Sequence, residues 1–344
     1  MQSQAFADIS RSKALFGKRL AIFGHHYMSD AVIRHADFAG DSLELARKVP
    51  GLAAEHIVFC GVSFMAESAS ILAGSRQKVF IPDQAASCVM SEMAPHISVQ
   101  GVLERLRAKG RRIIPLAYVN TSAAVKAICG RFGGSVCTSA NARAMLSWAL
   151  EQGDGVLFLP DRNLAMNTAT ALGLPKDQQL VLDIRKGQMD CAAAGKARLL
   201  IWPGLCVIHH RFKPQQIARA RAESPGALVV VHPECSPEVV TLADASGSTS
   251  FIIDYVRKAP AGSTIYIGTE ANLVERLARE HAGSKSVLHL VESRCSNMAK
   301  ITEDKLASLL AQIGAGKAQP VVVAPDVAAP ARDALTRMLE VCRR

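Results

Sequence analysis

The same succession of residue types occurs three times along the sequence, and this repetition restricts the fold more than any other feature. In each third of the chain, an apolar run ends in two polar residues that are separated by one position. A hydroxyl residue at the start of a helix-like stretch follows, and a later apolar run ends near a cysteine. The polar pairs are His25 and Tyr27, Tyr118 and Asn120, and His232 and Glu234. Chance poorly explains three copies of this order, so we infer three repeated units.

The spacing along the chain agrees with the repeat. The first polar residue and the cysteine are 63 residues apart in the first and third units, and 88 residues apart in the middle unit. The difference predicts an insertion in the middle unit, around residues 186–197. The cysteines concerned are Cys88, Cys206 and Cys295.

The strands of each unit are predicted from continuous apolar runs, which alternate with helix-like stretches such as SLELARKV. Such runs are typical of parallel strands buried on both faces, and they cover residues 19–27, 56–64, 78–83, 112–120, 155–161, 227–234, 263–270 and 286–292. We therefore predict an α/β fold of three homologous three-layer αβα domains, with parallel sheets around a pseudo-threefold axis. The predicted domains are 1–100, 101–215 and 216–300, and a helical C-terminal extension over 301–344 packs back on the core.

The polar residues of each unit should gather at one edge, because ligands of parallel α/β units bind at the carboxyl ends of the strands. If the three edges face a common axis, the three cysteines converge and the hydroxyl residues surround the same space. A single hydroxyl at a helix start is more often only a cap. The hydroxyl residues concerned are Ser42, Ser139, Ser248 and Thr249.

Cysteine spacing limits the kind of metal site. Nine cysteines without a CxxC pair exclude zinc ribbons, zinc fingers and thioredoxin-type redox sites. Three thiolates from three separate loops suit an iron–sulfur cluster with one iron open to substrate. An isolated cysteine near a strand end is more often a small buried hydrophobic residue, and this interpretation applies to Cys60, Cys129, Cys137, Cys191 and Cys342. Cys235 could line the site, but nothing pairs it with a second thiol.

Three further side chains are candidates for acid–base chemistry. His209 lies three residues after the cysteine of the middle unit, close enough to point at whatever that cysteine binds. On spacing alone, a hydrogen-bonded structural histidine is equally expected. His232 and Glu234 flank a proline, which suits an acid–base pair, although Glu234 could also be a plain surface carboxylate. His26 and His210 are expected to be structural.

Charge and hydropathy restrict the partners. The net charge of +10 admits nucleic acid or small anions, but basic residues are scattered and only 5% of residues are aromatic, which disfavours a base-stacking surface. We expect small anionic substrates and no nucleic acid. The uncharged run over 199–208 is too short to span a bilayer, and the N-terminal stretch lacks a signal-peptide pattern. We therefore expect a cytoplasmic location and no membrane contact.

A series of motifs carries a family resemblance from residue 19 to about residue 305. In order, they are GHHYM, FAGDSLELAR, CGVSFMAESASIL, PDQAASC, AYVNTSAAVKA, CTSANA, FLPDRNLA, WPGLCVIHHRF, HPEC, ADASGSTS and RCSNMAKIT. Together they closely resemble the bacterial quinolinate synthase family. The resemblance implies three α/β domains around a pseudo-threefold axis, with one cysteine from each binding a 4Fe-4S cluster. It also implies that iminoaspartate, supplied by L-aspartate oxidase, condenses with dihydroxyacetone phosphate to give quinolinate for NAD biosynthesis.

Individual roles follow from the same resemblance, motif by motif. It implies that the cluster ligands are Cys88, Cys206 and Cys295. Residues that hold the substrate carboxylates and phosphate are His25, Ser42, Ser139, His232, Ser248 and Thr249. Groups close to the open iron are Tyr27, Tyr118 and Asn120. Glu234 matches the acid–base residue and His209 a site histidine. Some family members carry CxxCxxC around the third ligand, whereas Arg294–Cys295–Ser296 leaves one choice here.

Two other functions remain open on the residues alone. Radical S-adenosylmethionine enzymes of the diphthamide type resemble this architecture, with three repeated domains and one cysteine each around a cluster. The small-anion receptors in all three units favour quinolinate synthase over that alternative. A redox-sensing iron–sulfur regulator would bind DNA, but the sequence has no recognisable helix-turn-helix signature or basic arm.

Overall fold

Three parallel β-sheets with helices packed against them form the structure, a computed structural model in which residues 3–184 and 191–343 are described. The sheets have four, five and four strands, and every strand pair is parallel. The predicted α/β class with three αβα units is confirmed. Each of the eight predicted apolar runs contains a strand.

The first unit contains four strands and six helices. The strands are β1 (Leu20–His25), β2 (Phe38–Gly40), β3 (His56–Cys60) and β4 (Lys78–Phe80). The helices are α1 (Gln4–Phe16), α2 (Asp30–Ile33), α3 (Ser42–Lys48), α4 (Ser63–Leu72), α5 (Val89–Glu92) and α6 (His96–Ala108). β1 is buried along its whole length, as its unbroken apolar sequence predicts.

The second unit contains the five-stranded sheet. Its strands are β5 (Ile113–Tyr118), β6 (Ser135–Cys137), β7 (Gly155–Leu159), β8 (Gln179–Val181) and β9 (Leu199–Ile201). Its helices are α7 (Ala123–Arg131), α8 (Ala142–Glu151), α9 (Arg162–Ala171) and α10 (Cys191–Lys196).

The third unit and the C-terminal segment complete the chain. The strands are β10 (Leu228–Val231), β11 (Ala245–Ser246), β12 (Thr264–Gly268) and β13 (Ser286–His289). The helices are α11 (Pro214–Glu223), α12 (Pro237–Leu242), α13 (Thr249–Lys258), α14 (Ala271–Glu280), α15 (Glu303–Gly314) and α16 (Pro325–Val341).

The strand order is the same in all three sheets, which is what three copies of one unit require. The orders are β2-β1-β3-β4, β6-β5-β7-β9 and β11-β10-β12-β13, and only the middle sheet has a further strand, β8, beside β9. β8 and α10 lie between β7 and β9, which is where the predicted insertion falls. Within that insertion, residues 186–190 and the side chain of Cys191 lie outside the described part of the chain.

The three units contact one another in a closed cycle. Asn272 of α14 donates a hydrogen bond to the carbonyl of Tyr27 in the first unit (3.0 Å). Glu67 of α4 accepts one from the first N–H of α7 in the second unit (3.0 Å). Asn167 of α9 donates one to the carbonyl of Pro233 in the third unit (2.8 Å). In each case the helix after the third strand holds the loop after the first strand of the next unit, as expected around a pseudo-threefold axis.

The hydrophobic core is not shared equally among the units. One continuous core joins the first two sheets and the C-terminal helices. The third sheet packs two smaller cores of its own, one on each face, of which Val229 and Val230 mark opposite sides. α15 packs against α1 and α16 packs along α7, so the C-terminal segment belongs to the larger core.

Close backbone contact between α7 and α16 depends on Gly130. A Cβ atom at this position would overlap the carbonyl of Pro330 in α16. We expect Gly130→Ala to destabilise the protein by about 1–3 kcal/mol, because the two helices would have to separate. Urea unfolding of the variant measures this. Gly101→Ala in α6 is the control, since its Cβ would meet nothing closer than 3.8 Å and alanine is the better helix former; equal losses for both variants would contradict the packing explanation.

Among the described residues, no helix has both the length and the apolar character needed to cross a bilayer.

Candidate active site

The carboxyl ends of the three sheets surround one cavity of about 900 Å³, including its open mouth. Every candidate site residue from the sequence except Ser248 lines it. These residues are His25, Tyr27, Ser42, Cys88, Tyr118, Asn120, Ser139, Cys206, His209, His232, Glu234, Thr249 and Cys295. Residues more than 200 positions apart are thus brought together by the repeat, because the same strand end occurs in each unit.

The three cysteines occupy equivalent loops, each after the last strand of its unit. A single backbone hydrogen bond recurs in all three loops. The first N–H of the helix that follows the third strand donates to the carbonyl two residues before the cysteine. The pairs are Ser63 to Ala86 (2.8 Å), Arg162 to Gly204 (2.8 Å) and Ala271 to Ser293 (2.9 Å). This bond fixes where each loop enters the cavity.

Burial keeps the three thiols protonated until a cation binds. It raises the pKa of Cys88 to about 12 and that of Cys295 above its ordinary value. It raises the pKa of Cys206 most strongly, and the neighbouring carboxylate of Glu234 adds to the effect. A soft cation that binds these sulfurs must therefore displace their protons.

The remaining described cysteines do not line the cavity. Cys60, Cys129, Cys137 and Cys235 are buried in other places, and Cys342 lies at the end of α16. Cys235, which the sequence left as a possible lining residue, instead packs in the core of the third unit. The cavity thus offers three thiols among its described lining residues.

A chain of hydrogen bonds crosses the cavity from the second unit to the first. The hydroxyl of Tyr118 donates to Glu234 Oε1 (2.6 Å), and Glu234 Oε2 lies 3.1 Å from His209 Nδ1. His209 Nε2 lies 3.3 Å from Thr269 Oγ1, which lies 2.7 Å from the hydroxyl of Tyr27. Four of these side chains are buried and that of Tyr27 is partly buried, and consecutive hydrogen bonds give a proton a continuous path between the two tyrosines.

Burial and neighbouring charges give the carboxyl group and the two phenols of this hydrogen-bond chain different protonation states. Burial alone would raise the pKa of Glu234, but His209 and His232 outweigh burial and hold it below its ordinary value. Burial raises the pKa of both Tyr118 and Tyr27 well above 10.0, and Glu234 adds to the rise. The site therefore combines an ionised carboxylate with two neutral phenols that can donate.

Burial lowers the pKa values of two histidines that line the cavity, so that both are neutral near pH 7. Burial lowers the pKa of His25 to about 3, and the neighbouring His26 contributes. Burial also lowers the pKa of His232 to about 3, with His209 stacked on it at a ring distance of 4.3 Å. Neutral imidazoles can both donate and accept hydrogen bonds, which suits groups that position a substrate.

Helix N-termini and hydroxyl groups supply the anion-binding part of the cavity. α3 and α13 begin at its wall with Ser42 and Thr249, and Ser139 lies just before α8. Thr249 Oγ1 and Asn120 Oδ1 are buried and have no hydrogen-bond partner among the described residues. Buried polar atoms are nearly always paired, so both atoms are poised for a bound molecule.

Ser248 has a different position from the one expected. Its hydroxyl accepts a hydrogen bond from the N–H of Phe251 (3.3 Å) and caps α13. It is not among the residues that line the cavity, whereas the next residue, Thr249, is.

The positive net charge is not concentrated at this site. No lysine or arginine occurs among the described residues that line the cavity. The positive ends of the helices and the hydroxyl groups are what remain to attract an anion there.

One corner of the cavity combines three kinds of donor. A sulfur of Cys206, a ring nitrogen of His209 and an oxygen of Glu234 all lie within 4.8 Å of one another. His209 and Glu234 are also joined directly, so this corner places acid–base groups against a cysteine that can bind metal.

Sequence reasoning did not select Thr269, which lies between His209 and Tyr27 in the chain of hydrogen bonds. It lies in GTEANLVE, directly after β12, and is fully buried. Its only sequence signal is its place at a strand end, the same rule that selected His25 and His232. Met65, Met90 and Asn297 also line the cavity without having been expected there.

Comparisons with known proteins agree with these features. The family model described as quinolinate synthetase A protein matches residues 7–340. The quinolinate synthase of Corynebacterium glutamicum is 46% identical over 340 residues, which cover 97% of this chain and 86% of that protein. The one from Geobacillus kaustophilus is 43% identical, covering 99% of this chain and 94% of that protein. The one from Bacillus subtilis is 40% identical, covering 99% and 96%.

Proposed function

Because the chain belongs to the quinolinate synthetase A family of enzymes, we propose that it condenses iminoaspartate with dihydroxyacetone phosphate. The products are quinolinate, one phosphate and two waters, which balances all atoms of the two substrates. L-aspartate oxidase supplies the unstable iminoaspartate, and the quinolinate enters NAD biosynthesis. The observation that carries the proposal is the convergence of one cysteine from each repeated unit on a cavity that also holds unpartnered polar atoms.

The donor set fits a 4Fe-4S cluster bound by Cys88, Cys206 and Cys295. Three thiols reach the cavity from three separate loops, and the described lining residues offer no fourth thiol. A cluster with three cysteine ligands leaves one iron without a protein sulfur. When bound, it supplies a Lewis-acidic iron that polarises a substrate hydroxyl or carboxylate.

Substrate binding uses the helix ends and neutral histidines. Both substrates are anionic, and the first residues of α3 and α13, Ser42 and Thr249, line the cavity with their hydroxyl groups at helix N-termini. Asn120 and Thr249 provide the polar atoms that lack partners among the described residues. His25 and His232 donate from their neutral rings, so they orient the ligand without adding charge.

Proton transfer uses the chain of hydrogen bonds across the cavity. Loss of each water requires that a proton leave carbon or nitrogen and that a proton reach the departing hydroxyl. Glu234 is ionised at neutral pH because its pKa lies below its ordinary value, so its carboxylate is free to accept the first proton. Tyr118 and Tyr27 keep their protons at neutral pH and donate the second. His209 and Thr269 connect these groups, so that the proton taken by Glu234 returns to the phenols.

Thr269→Val tests the connection. Valine preserves the shape of the side chain but removes the oxygen between His209 and Tyr27. We expect kcat to fall about 10- to 100-fold with KM nearly unchanged, which is the usual cost of losing such a supporting contact. Steady-state kinetics of the purified variant measure both. Thr170→Val on the exposed face of α9 is the control, and a kcat equal to that of this control would count against the relay.

The proposed function is tested by assaying anaerobically purified protein for quinolinate, with iron and sulfide quantified. We expect brown protein that forms quinolinate from iminoaspartate and dihydroxyacetone phosphate. Iron-containing protein that forms no quinolinate would refute the proposal. Methionine-derived radical products, formed when the protein is reduced in the presence of S-adenosylmethionine, would favour the radical-enzyme alternative.

A further inference from the structure

A second contact, besides the recurring backbone hydrogen bond, holds two of the three cysteine loops. Asp161 is the N-cap residue of α9, and its Oδ1 accepts from the N–H of Leu164 (2.6 Å). Its other oxygen, Oδ2, accepts from the N–H of Cys206 itself (3.1 Å). Asp161 is fully buried, so both hydrogen bonds are shielded from water. One carboxyl group therefore joins the start of a helix to a cysteine of the cavity.

The third unit repeats this contact with a longer side chain. Glu270 is the N-cap residue of α14, and its Oε2 accepts from the N–H of Asn272 (2.8 Å). Its Oε1 accepts from the N–H of Cys295 (3.3 Å). Glu270 is also buried, with 1% of its surface exposed. Aspartate in one unit and glutamate in the other thus occupy the same position of the repeat. Each accepts one hydrogen bond from the first turn of its helix and one from the N–H of the cysteine.

The first unit lacks the contact. The N-cap residue of α4 is Val62, whose side chain makes no capping hydrogen bond and has no atom that could accept one. The loop of Cys88 keeps the backbone hydrogen bond from Ser63 to Ala86 that the other units share. The units therefore differ in one defined way, the presence of a carboxyl group behind the cysteine.

We propose that Asp161 and Glu270 are positioning residues that fix Cys206 and Cys295 for binding of the iron–sulfur cluster. This rests on the proposed function, because it assumes that the three cysteines bind the cluster. An amide held by a buried carboxyl oxygen cannot rotate away, so the cysteine that carries it meets the cluster with less conformational freedom to lose. The loop of Cys88 lacks this support, so Cys88 is the first of the three cysteines to release the cluster when a ligand or chelator competes.

The experiment must separate positioning from helix capping. Asp161→Ser does this, because serine is a good N-cap but is too short to bond the cap N–H and Cys206 together. We expect iron release from the loaded protein to a chelator to become about 10- to 100-fold faster. We also expect the electron paramagnetic resonance signal of the reduced cluster to change, with the thermal unfolding midpoint close to that of the unmodified protein.

Two further variants make the result decisive. Glu270→Gln keeps one oxygen for the cap of α14 and places an amide nitrogen toward Cys295, so it should accelerate iron release as well. If Asp161→Ser does not fold, the iron release of Glu270→Gln tests the positioning role by itself. Thr302→Ala removes the N-cap of α15, whose hydroxyl accepts from the N–H of Lys305 (3.3 Å) rather than from the N–H of a cysteine, and should leave iron release unchanged. Release rates and spectra of both carboxyl variants equal to those of Thr302→Ala would overturn the inference. Absence of iron and sulfide from the unmodified protein would instead overturn the proposed function.

Discussion

Replacing Cys206 by serine should give a folded protein that binds little iron and forms no quinolinate. The cysteine is one of three thiols that enter the cavity, and the described lining residues include no fourth thiol that could replace it. Loss of a metal ligand should cost more than the 10- to 100-fold typical of a residue behind a ligand, so we expect cluster affinity to fall at least about 100-fold. Iron and sulfide analysis after anaerobic reconstitution measures this, and circular dichroism establishes that the fold is retained.

Cys60→Ser is the matched control for that substitution. Cys60 is fully buried in β3 and does not line the cavity. A buried hydroxyl should lower stability by about 1–3 kcal/mol, but iron content and quinolinate formation should stay near those of the unmodified protein. Normal iron content in Cys206→Ser, or loss of the cluster in Cys60→Ser alone, would show that the ligands are assigned to the wrong cysteines.

Glu234→Gln should abolish most of the activity while leaving the cluster in place. Glutamine fills the same space and can still accept the hydrogen bond from Tyr118, but it is unable to take a proton from the substrate. We expect kcat to fall about 100- to 10,000-fold, the range usual for loss of a general base. KM should change little, because the helix ends and neutral histidines still bind the anionic groups. Steady-state kinetics together with iron analysis give both quantities.

Glu238→Gln provides the comparison, four residues along the chain. Glu238 is exposed on α12 and does not line the cavity, so its amide should leave kcat unchanged. If Glu234→Gln lost iron in proportion to activity, Glu234 would be acting on the cluster rather than on the proton. If it kept most of its kcat, the general base would have to be another residue.

The repeat made much of the fold predictable from sequence. Strands buried on both faces leave a continuous apolar run, so eight strands could be recognised without homologues, including the three-residue β4, whose apolar run extends beyond the strand. The short strands β2, β6, β8, β9 and β11 have two or three residues each, too few to show a period. Their positions follow only from the completed sheets.

The candidate site was predictable to the extent that the chemistry repeats. Cysteine, polar pair and hydroxyl occur in all three units, so their order was visible along the chain. Thr269 has no such counterpart, and its importance depends on two distances, to His209 and to Tyr27, that arise only when the units meet. Ser248 shows a second role for a hydroxyl at a helix start: in the structure it caps the helix, and its contact with substrate stays a prediction.

The hydrogen bonds from the cysteine N–H groups to Asp161 and Glu270 could not be predicted from the sequence for the same reason. Asp161 and Glu270 have the sequence signature of ordinary helix caps, and one of their two oxygens does serve that purpose. The second oxygen reaches a cysteine that lies 45 residues away in one unit and 25 in the other. A sequence window around either residue contains nothing that points to it.

The unequal division of the hydrophobic core has a consequence for how this enzyme would lose activity on heating. The first two sheets share one core, whereas the third sheet packs two cores of its own, so we expect the first two sheets to unfold as one unit and the third sheet as another. Glu234 and Thr269 belong to the third sheet, while their partners Tyr118 and Tyr27 belong to the others. Melting of either unit therefore separates the catalytic groups. The temperature at which turnover stops should be that of the weaker unit, while most of the secondary structure is still present.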